Sequence, residues 1–173
     1  MNAPKGGIYK VLSEDGKPHN GGNGMWPLPN GKPGTWLAVK GEIVPCMNGL
    51  HLCRAKHLVG WLGPTIWLAE IHPSCKVHEE RDKLVVRRAR LIRQLETWNP
   101  QTQRLFAADC AERALKKAHV DDKRSWAAIY AARRHAFGLI DDAAWAAARA
   151  AENQWQNRCL TSMVVAAHRK ESK

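Results

Sequence analysis

Residues 83–95 read Lys83-Leu-Val-Val-Arg-Arg-Ala-Arg-Leu-Ile-Arg-Gln-Leu95, and this stretch decides the fold class of the chain. As a helix, the stretch would bring its apolar residues to one face. As a strand, the β-branched pair Val85-Val86 favours extended backbone. We favour the strand, which makes residue 95 the end of a strand-rich half of the chain.

The sequence before this stretch consists of short β-prone runs separated by turns. Alternation and β-branched residues predict strands at residues 8–12, 36–39, 42–44, 50–53 and 65–71. Residues 55–61 predict one or two helical turns, which Gly63-Pro64 would end. Residues 16–34 are dense in Gly and Pro and predict a long loop around Trp26. The first half is therefore expected to form a small antiparallel or mixed sheet.

The sequence after residue 97 changes to Ala-rich helical patterning. Asn99-Pro100 suits a helix N-cap and first turn and predicts a helix over residues 101–118. Asp121-Asp122 and Asp141-Asp142 favour two further helix starts, because negative charge complements the helix dipole. Helices around residues 126–137 and 143–169 would complete an antiparallel three-helix bundle. We expect an α+β protein with a strand-rich domain at 1–96 and a helical domain at 97–173.

The chain is strongly basic, with 27 Lys and Arg against 16 Asp and Glu and a net charge of +11. Such a charge favours nucleic acid or an acidic protein as partner, and a basic protein without such a partner is the alternative. No stretch approaches the ~20 apolar residues of a membrane helix, and the N-terminus lacks the apolar core of a signal peptide. Five cysteines, an odd number, are expected to be reduced thiols in a cytoplasmic protein.

The segment Cys46-Met-Asn-Gly-Leu-His-Leu-Cys53 is the sharpest local feature. Gly49 suits a tight turn, and strand alternation then places His51 and Cys53 on one face. Such a pair can act as base and thiolate, or as two metal ligands. Further ligands that would complete a zinc site are Cys46, His72 and Cys75. Since no Cys-x-x-Cys pair is present, we favour buried structural cysteines and a hydrogen-bonded histidine.

A row of basic residues around residue 90 suggests a binding surface. Guanidinium groups contact phosphates, and Trp rings stack on bases. The alternative is a solvated strand face whose arginine stems pack over the sheet. The candidate binding residues are Lys83, Arg87, Arg88, Arg90, Arg93, Trp26 and Trp61.

Residues 7–95 resemble an uncharacterised domain family found mostly in phage and bacterial proteins. The hallmark of that family is Cys-x-x-Gly-(Leu/Phe)-His-(Leu/Phe)-Cys, present here as Cys46 and Gly49 to Cys53. A Glu-containing strand at 67–71 and an Asp-Lys run at 82–86 follow, as in the family. The resemblance implies a phage or mobile-element setting and brings no particular activity.

The helical half carries a second resemblance, in residues 109–115, 128–134 and 145–149. From Phe106 onward the chain is similar to helical immunity proteins of bacterial toxin systems. This resemblance implies a protein that binds and neutralises another protein.

A third resemblance is to the second half of ADP-ribosyltransferase folds. Residues 49–53, a short helix and residues 66–71 carry it, and residues 9–11 would be the first strand. It implies NAD as cofactor and Glu70 as a catalytic candidate beside His51 and Cys53. His51 stands where those folds have an aromatic residue, and a fold can be shared without its activity.

Three functions are compatible with these observations. The first is a non-enzymatic binding protein acting in phage–host conflict, an inhibitor or immunity-type protein that binds a protein or nucleoprotein complex through a basic surface. The second is an NAD-using, ADP-ribosyltransferase-like enzyme. The third is a zinc-supported nucleic-acid-binding protein. We favour the first, which requires no cofactor, because no complete catalytic motif occurs in the sequence.

Overall fold

The computed structural model describes residues 7–150, 152–154 and 157 of the chain. The chain divides into two compact units, Met1–Asn99 and Pro100–Lys173. The first unit carries an antiparallel sheet and the second carries α-helices. The predicted α+β class is therefore confirmed. The division falls slightly later than the predicted boundary at residue 96, because Trp98 packs with the strand unit.

Seven strands form one antiparallel sheet in the first unit. They are β1 (Ile8–Leu12), β2 (Leu37–Ala38), β3 (Leu50–Arg54), β4 (Thr65–Ile71), β5 (His78–Glu79), β6 (Leu84–Val86) and β7 (Arg88–Gln94). Their order across the sheet is β2-β7-β4-β1-β3-β6-β5. A 3₁₀-helix, Ala55–Trp61, connects β3 to β4, where helical turns were predicted. The strands predicted at 8–12, 50–53 and 65–71 are confirmed.

The bend at Arg87 explains the shape of this sheet. Arg87 alone separates β6 from β7, yet β6 pairs with β3 and β7 pairs with β4. Because neighbouring Cα atoms are ~3.8 Å apart, the sheet has to curl until its two sides approach each other. The predicted strand over 83–95 is confirmed, and the bend divides it between two partners.

Alternation along the strands separates two buried clusters. The main core lies on one face of the sheet and consists of Leu12, Trp26, Leu50, Leu52, Trp67, Ala69, Leu84, Val86, Ala89 and Leu91. Tyr9, Val11, Cys53 and Ile66 form the second cluster, on the other face. The 3₁₀-helix covers this second cluster with Leu58 and Trp61. Each face of the sheet is thus buried over part of its area.

The strand predicted at residues 42–44 is wrong. Val44 makes only an isolated bridge with Asn48. The Asn48 side-chain amide donates to the carbonyl oxygens of Lys40 and Glu42 at 2.8 and 2.6 Å. A side chain therefore occupies the acceptors that a strand partner would use. No pattern in the sequence predicts β5, because two residues are too few to show a period.

The helical unit begins with α1 (Pro100–Lys117) and α2 (Lys123–Ala136), as the sequence predicts. Asp122 caps α2, since its side chain accepts from the Arg124 N–H at 2.9 Å. Arg133 of α2 holds α1 by ion pairs to Asp109 and Glu112.

A third helical segment covers residues 142–150. Most of the remainder of the predicted helix, up to residue 169, lies outside the described residues, so the three-helix bundle stays a prediction. No helix in the described part of the chain combines the length and apolar character that a membrane span requires.

Candidate functional site

The structure divides the predicted binding residues between two places. Lys83, Trp26 and Trp61 line a cleft between β1 and β3. Arg88 and Arg90 lie on β7, where both guanidinium groups pack on Trp36. These two places differ in chemistry.

The cleft opens where β1 and β3 diverge. The two strands pair only through Ile8 with Arg54 and Tyr9 with Cys53. By contrast, β1 stays paired with β4 along its whole length. The gap forms a cavity of about 420 Å³, a size typical of small-molecule sites. Its lining includes Lys10, Trp26, His51, Trp61, Lys83 and the loop of residues 21–24.

The cleft is positively charged. Lys10 and Lys83 both line it, and its described lining contains no Asp or Glu. The pKa of His51 is lowered first by burial and then by the charges of Lys10 and Lys83. Both ammonium groups therefore act on the same ring. The cleft as a whole suits an anion.

The Lys10 side chain is half-buried, and its positive charge has no carboxylate partner among the described residues. Its Nζ donates to the carbonyl oxygen of His51 at 3.1 Å and lies 5.3 Å from the Trp26 ring centroid. In the described part of the chain, no carboxylate forms an ion pair with it. Burial lowers the pKa of Lys10 to about 8, against a smaller opposing effect of Cys53. An ammonium in this position costs stability.

His51 holds the turn that precedes β3. Its Nε2 accepts from the backbone N–H of Cys46 at 3.1 Å. Cys46 has a φ of +66° and Gly49 a φ of +151°. The hydrogen bond from Cys46 to His51 stabilises the first of these conformations, and the second favours glycine. Because its pKa is lowered, the ring is neutral near pH 7. This geometry agrees with the hydrogen-bonded histidine that the sequence analysis favoured.

The two cysteines of the hallmark differ in accessibility. Burial raises the pKa of Cys53 to about 11, which makes its thiol a weak nucleophile. Cys46 is exposed, and its Sγ lies 2.9 Å from Lys83 Nζ. That contact is the main cause of a raised pKa for Lys83. Burial of the cysteines, expected from the sequence, therefore holds for Cys53 and is wrong for Cys46, which is open to reagents.

Glu70 does not belong to the cleft. It lies on β4, where its Oε2 forms an ion pair with Arg90 Nη2 at 2.7 Å. The Glu70 carboxylate therefore neutralises an arginine. With His51 holding a turn and Cys53 buried as a thiol, the three catalytic candidates do not form a catalytic site together.

The residues considered as alternative zinc ligands are divided between two parts of the sheet. Cys53 is buried on β3, whereas His72 and Cys75 follow the far end of β4. His72 Nδ1 lies 2.7 Å from Ser74 Oγ, so it already has a hydrogen-bond partner. No three His, Cys, Asp or Glu side chains among the described residues could together hold a metal ion. The structure therefore gives no support to a site built from Cys46, His51, Cys53, His72 and Cys75.

We call the second site the arginine surface. It is formed by Arg88, Arg90 and Arg93 of β7 together with Trp36, the residue before β2. The guanidinium carbons of Arg90 and Arg88 lie 4.4 and 5.4 Å from the Trp36 ring centroid. Arg90 lies opposite Glu70, and a register shift between Leu68 and Ala69 places Arg93 opposite Leu68. Because Leu68 and Glu70 are on the same face of β4, the arginines share one face.

Arg87 lies apart from that face, at the bend. There it is exposed, and its Nη1 donates to the Val39 carbonyl oxygen at 3.4 Å.

The sequence does not single out Lys10 or Trp36 as site residues, and its Gly-Gly-Asn-Gly run at 21–24 lacks the Lys-Ser/Thr that follows a phosphate-binding loop. A signal for Lys10 was present, because Ile8, Lys10 and Leu12 share a face of β1 on which both neighbours are apolar. Trp36 carries no comparable local signal, since its partners Arg88, Arg90 and His72 come from distant parts of the chain.

A scan against protein-family models, a search of curated proteins and a search of solved structures each found no match to this chain. The three resemblances noted in the sequence therefore stay predictions.

Proposed function

We propose that this chain is a non-enzymatic binding protein that binds an acidic protein or a nucleoprotein complex through the arginine surface. The observation that carries the proposal is the alignment of three arginines on one face of β7, with Trp36 packed against two of them. The net charge of +11 adds long-range attraction to the same partners.

Two arginines of the arginine surface are held by contacts within the strand unit. Trp36 restrains Arg88 and Arg90 by stacking, and His72 packs edge-on against Trp36 at 4.9 Å. Stacked guanidinium groups keep their N–H edges for carboxylate or phosphate oxygens. Glu70 already pairs with Arg90. Arg88 and Arg93 have no ion-pair partner among the described residues, which makes them the main donors to a partner.

The biological setting that we propose is supported by two sequence resemblances. A phage or mobile-element domain joined to helices similar to immunity proteins suits an inhibitor or immunity-type protein in phage–host conflict. Within that role, the strand unit supplies the arginine surface. The helical unit carries the resemblance to immunity proteins.

The test is capture of the partner at low and high salt. Tagged protein in a bacterial lysate at about 50 mM salt should retain a specific protein or nucleoprotein, identified by mass spectrometry and nuclease treatment. The complex should weaken steeply toward about 200 mM salt, because charge-driven association is screened.

The variant that isolates the surface is Arg88→Glu with Arg93→Glu, which leaves the Arg90–Glu70 pair in place. It should lose the captured partner. The control Lys32→Glu with Lys56→Glu changes the net charge equally at exposed positions outside the surface and should keep it. Equal capture by both double variants would exclude the arginine surface.

A further inference from the structure

We propose that the cleft between β1 and β3 binds a phosphorylated small molecule whose phosphate contacts Lys10 and Lys83. This site is separate from the arginine surface, so neither proposal depends on the other. The proposal rests on the shape of the cleft, its charge, and the glycine loop at its rim.

The shape of the cleft comes from an interruption of the sheet. Beyond Tyr9 and Cys53 the ladder between β1 and β3 stops. Lys10 Nζ donates a hydrogen bond to the carbonyl oxygen of His51 on β3, where β1 and β3 are no longer paired. A cavity of about 420 Å³ is several times larger than one phosphate group, so it has room for the rest of a small molecule.

The charge of the cleft favours an anionic ligand. Lys10 is half-buried, and in the described part of the chain no carboxylate pairs with it. A buried charge without a counter-ion is unfavourable unless a ligand supplies one. Lys83 adds a second ammonium to the same lining, and the described lining has no acidic side chain to oppose it. Two cations match a phosphate dianion better than a carboxylate.

The glycine loop adds hydrogen-bond donors at the rim. Residues 21–24 read Gly-Gly-Asn-Gly and line the cleft. Their backbone N–H groups donate to no acceptor among the described residues. Gly21 and Gly22 have φ values of +94° and +105°, a backbone conformation that suits glycine. Backbone N–H groups without a protein acceptor can donate to phosphate oxygens.

Both ends of this loop are anchored. The Asn20 side-chain amide donates to the Trp61 carbonyl oxygen at 2.9 Å. At the other end, the Trp26 N–H donates to the Gly16 carbonyl oxygen at 3.0 Å, and the Trp26 side chain is buried in the core. The two anchors limit the freedom of the loop between them, which lowers the entropic cost of binding a ligand.

The test is isothermal titration of the full chain with two probes, inorganic phosphate and adenosine 5′-monophosphate, at pH 7 and constant ionic strength. We expect one site per chain for at least one probe. Lys10→Met and Lys83→Met should each weaken binding by about tenfold or more, the usual effect of losing a charge-assisted hydrogen bond. Lys32→Met, at an exposed position away from the cleft, should bind within about twofold of the wild type.

The two probes distinguish the sources of the phosphate. Tighter binding of the nucleotide identifies a phosphate ester whose remainder contacts the cleft, and equal binding identifies free phosphate. Lys83 is near the surface, so Lys83→Met tests the site even if Lys10→Met misfolds by circular dichroism. Absence of binding of both probes at about 10 mM, or equal weakening by Lys32→Met, would overturn the proposal.

Discussion

Lys10 is the residue whose position the packing of this fold explains least. It shares a face of β1 with Ile8 and Leu12, which pack in the main core. At that position an apolar side chain would fill the same space without a desolvation cost. Proteins tolerate such a cost at functional sites, and this is the residue-scale reason for placing a ligand in the cleft.

We predict that Lys10→Met stabilises the unliganded protein at pH 7. The pKa of Lys10 is about 8 in the folded chain and 10.5 ordinarily, so below pH 8 the folded state carries the full penalty of its charge. Stability of the wild type should therefore rise with pH between about 8 and 10.5, where the unfolded chain alone holds the proton. Lys10→Met should gain about 1–3 kcal/mol at pH 7 and little at pH 10.5. Urea unfolding at both pH values measures this, and a loss of stability at pH 7 would contradict it.

Gly49 is a residue that the turn before β3 requires. Its φ of +151° is unfavourable for other residues, and a Cβ there would overlap the side chain of Val85. We expect Gly49→Ala to lower the free energy of unfolding by about 2 kcal/mol or more. Gly60→Ala is the matched control, since a Cβ at Gly60 meets open space. Chemical denaturation of both variants decides the point, and equal effects would show that Gly49 is not special.

At the scale of elements, Thr65 links β1 to β4. Its buried hydroxyl donates to the Leu12 carbonyl oxygen and accepts from Trp67 Nε1, each at 2.9 Å. Thr65→Val should cost about 1–3 kcal/mol, because the buried indole N–H loses its acceptor. Thr65→Ser keeps the hydroxyl and should cost less. Denaturation followed by tryptophan fluorescence would reveal the difference, and an equally large loss in both variants would point to the methyl group instead.

The long strand that ends the sheet also shows the limit of element prediction. The β-branched residues of Leu84–Val86 predict extended backbone, and the structure has it. The bend at Arg87 comes from pairing, because β3 and β4 are both available as partners and lie on opposite sides of β1. No local pattern in residues 83–95 encodes that choice.

At the scale of the whole molecule, the strand unit has a core of its own. Both buried clusters come from residues within Met1–Asn99. We therefore predict that a fragment of residues 1–99 folds alone and shows a cooperative thermal transition.

A fragment ending at residue 94 provides the contrast. It lacks Leu95 and Trp98, which pack on the second cluster, and loses the bond from Trp98 Nε1 to the Gly63 carbonyl oxygen at 2.9 Å. We expect it to be much less stable than the 1–99 fragment. An unfolded 1–99 fragment, seen by circular dichroism, would contradict the division into units.

For the site, local sequence identified its residue types but not their arrangement. Lys83, Trp26 and Trp61 stood out as basic and aromatic residues, and they do line the cleft. Their predicted companions on β7 form a different site, because strand register rather than sequence proximity decides which side chains share a face. The zinc candidates are not brought together for a related reason, since Cys46, His51 and Cys53 lie at β3 whereas His72 and Cys75 follow β4.

The sequence by itself determined the α+β class, the strands β1, β3 and β4, and the starts of α1 and α2. These follow from alternation, β-branched residues and capping groups, which act over a few neighbouring residues. Only the tertiary structure decided the strand order, the bend at Arg87 and the cleft where Lys10, Lys83 and the glycine loop come together. Those features depend on pairing between segments far apart in the chain. Their energies depend on burial and on charge in three dimensions, which no local pattern records.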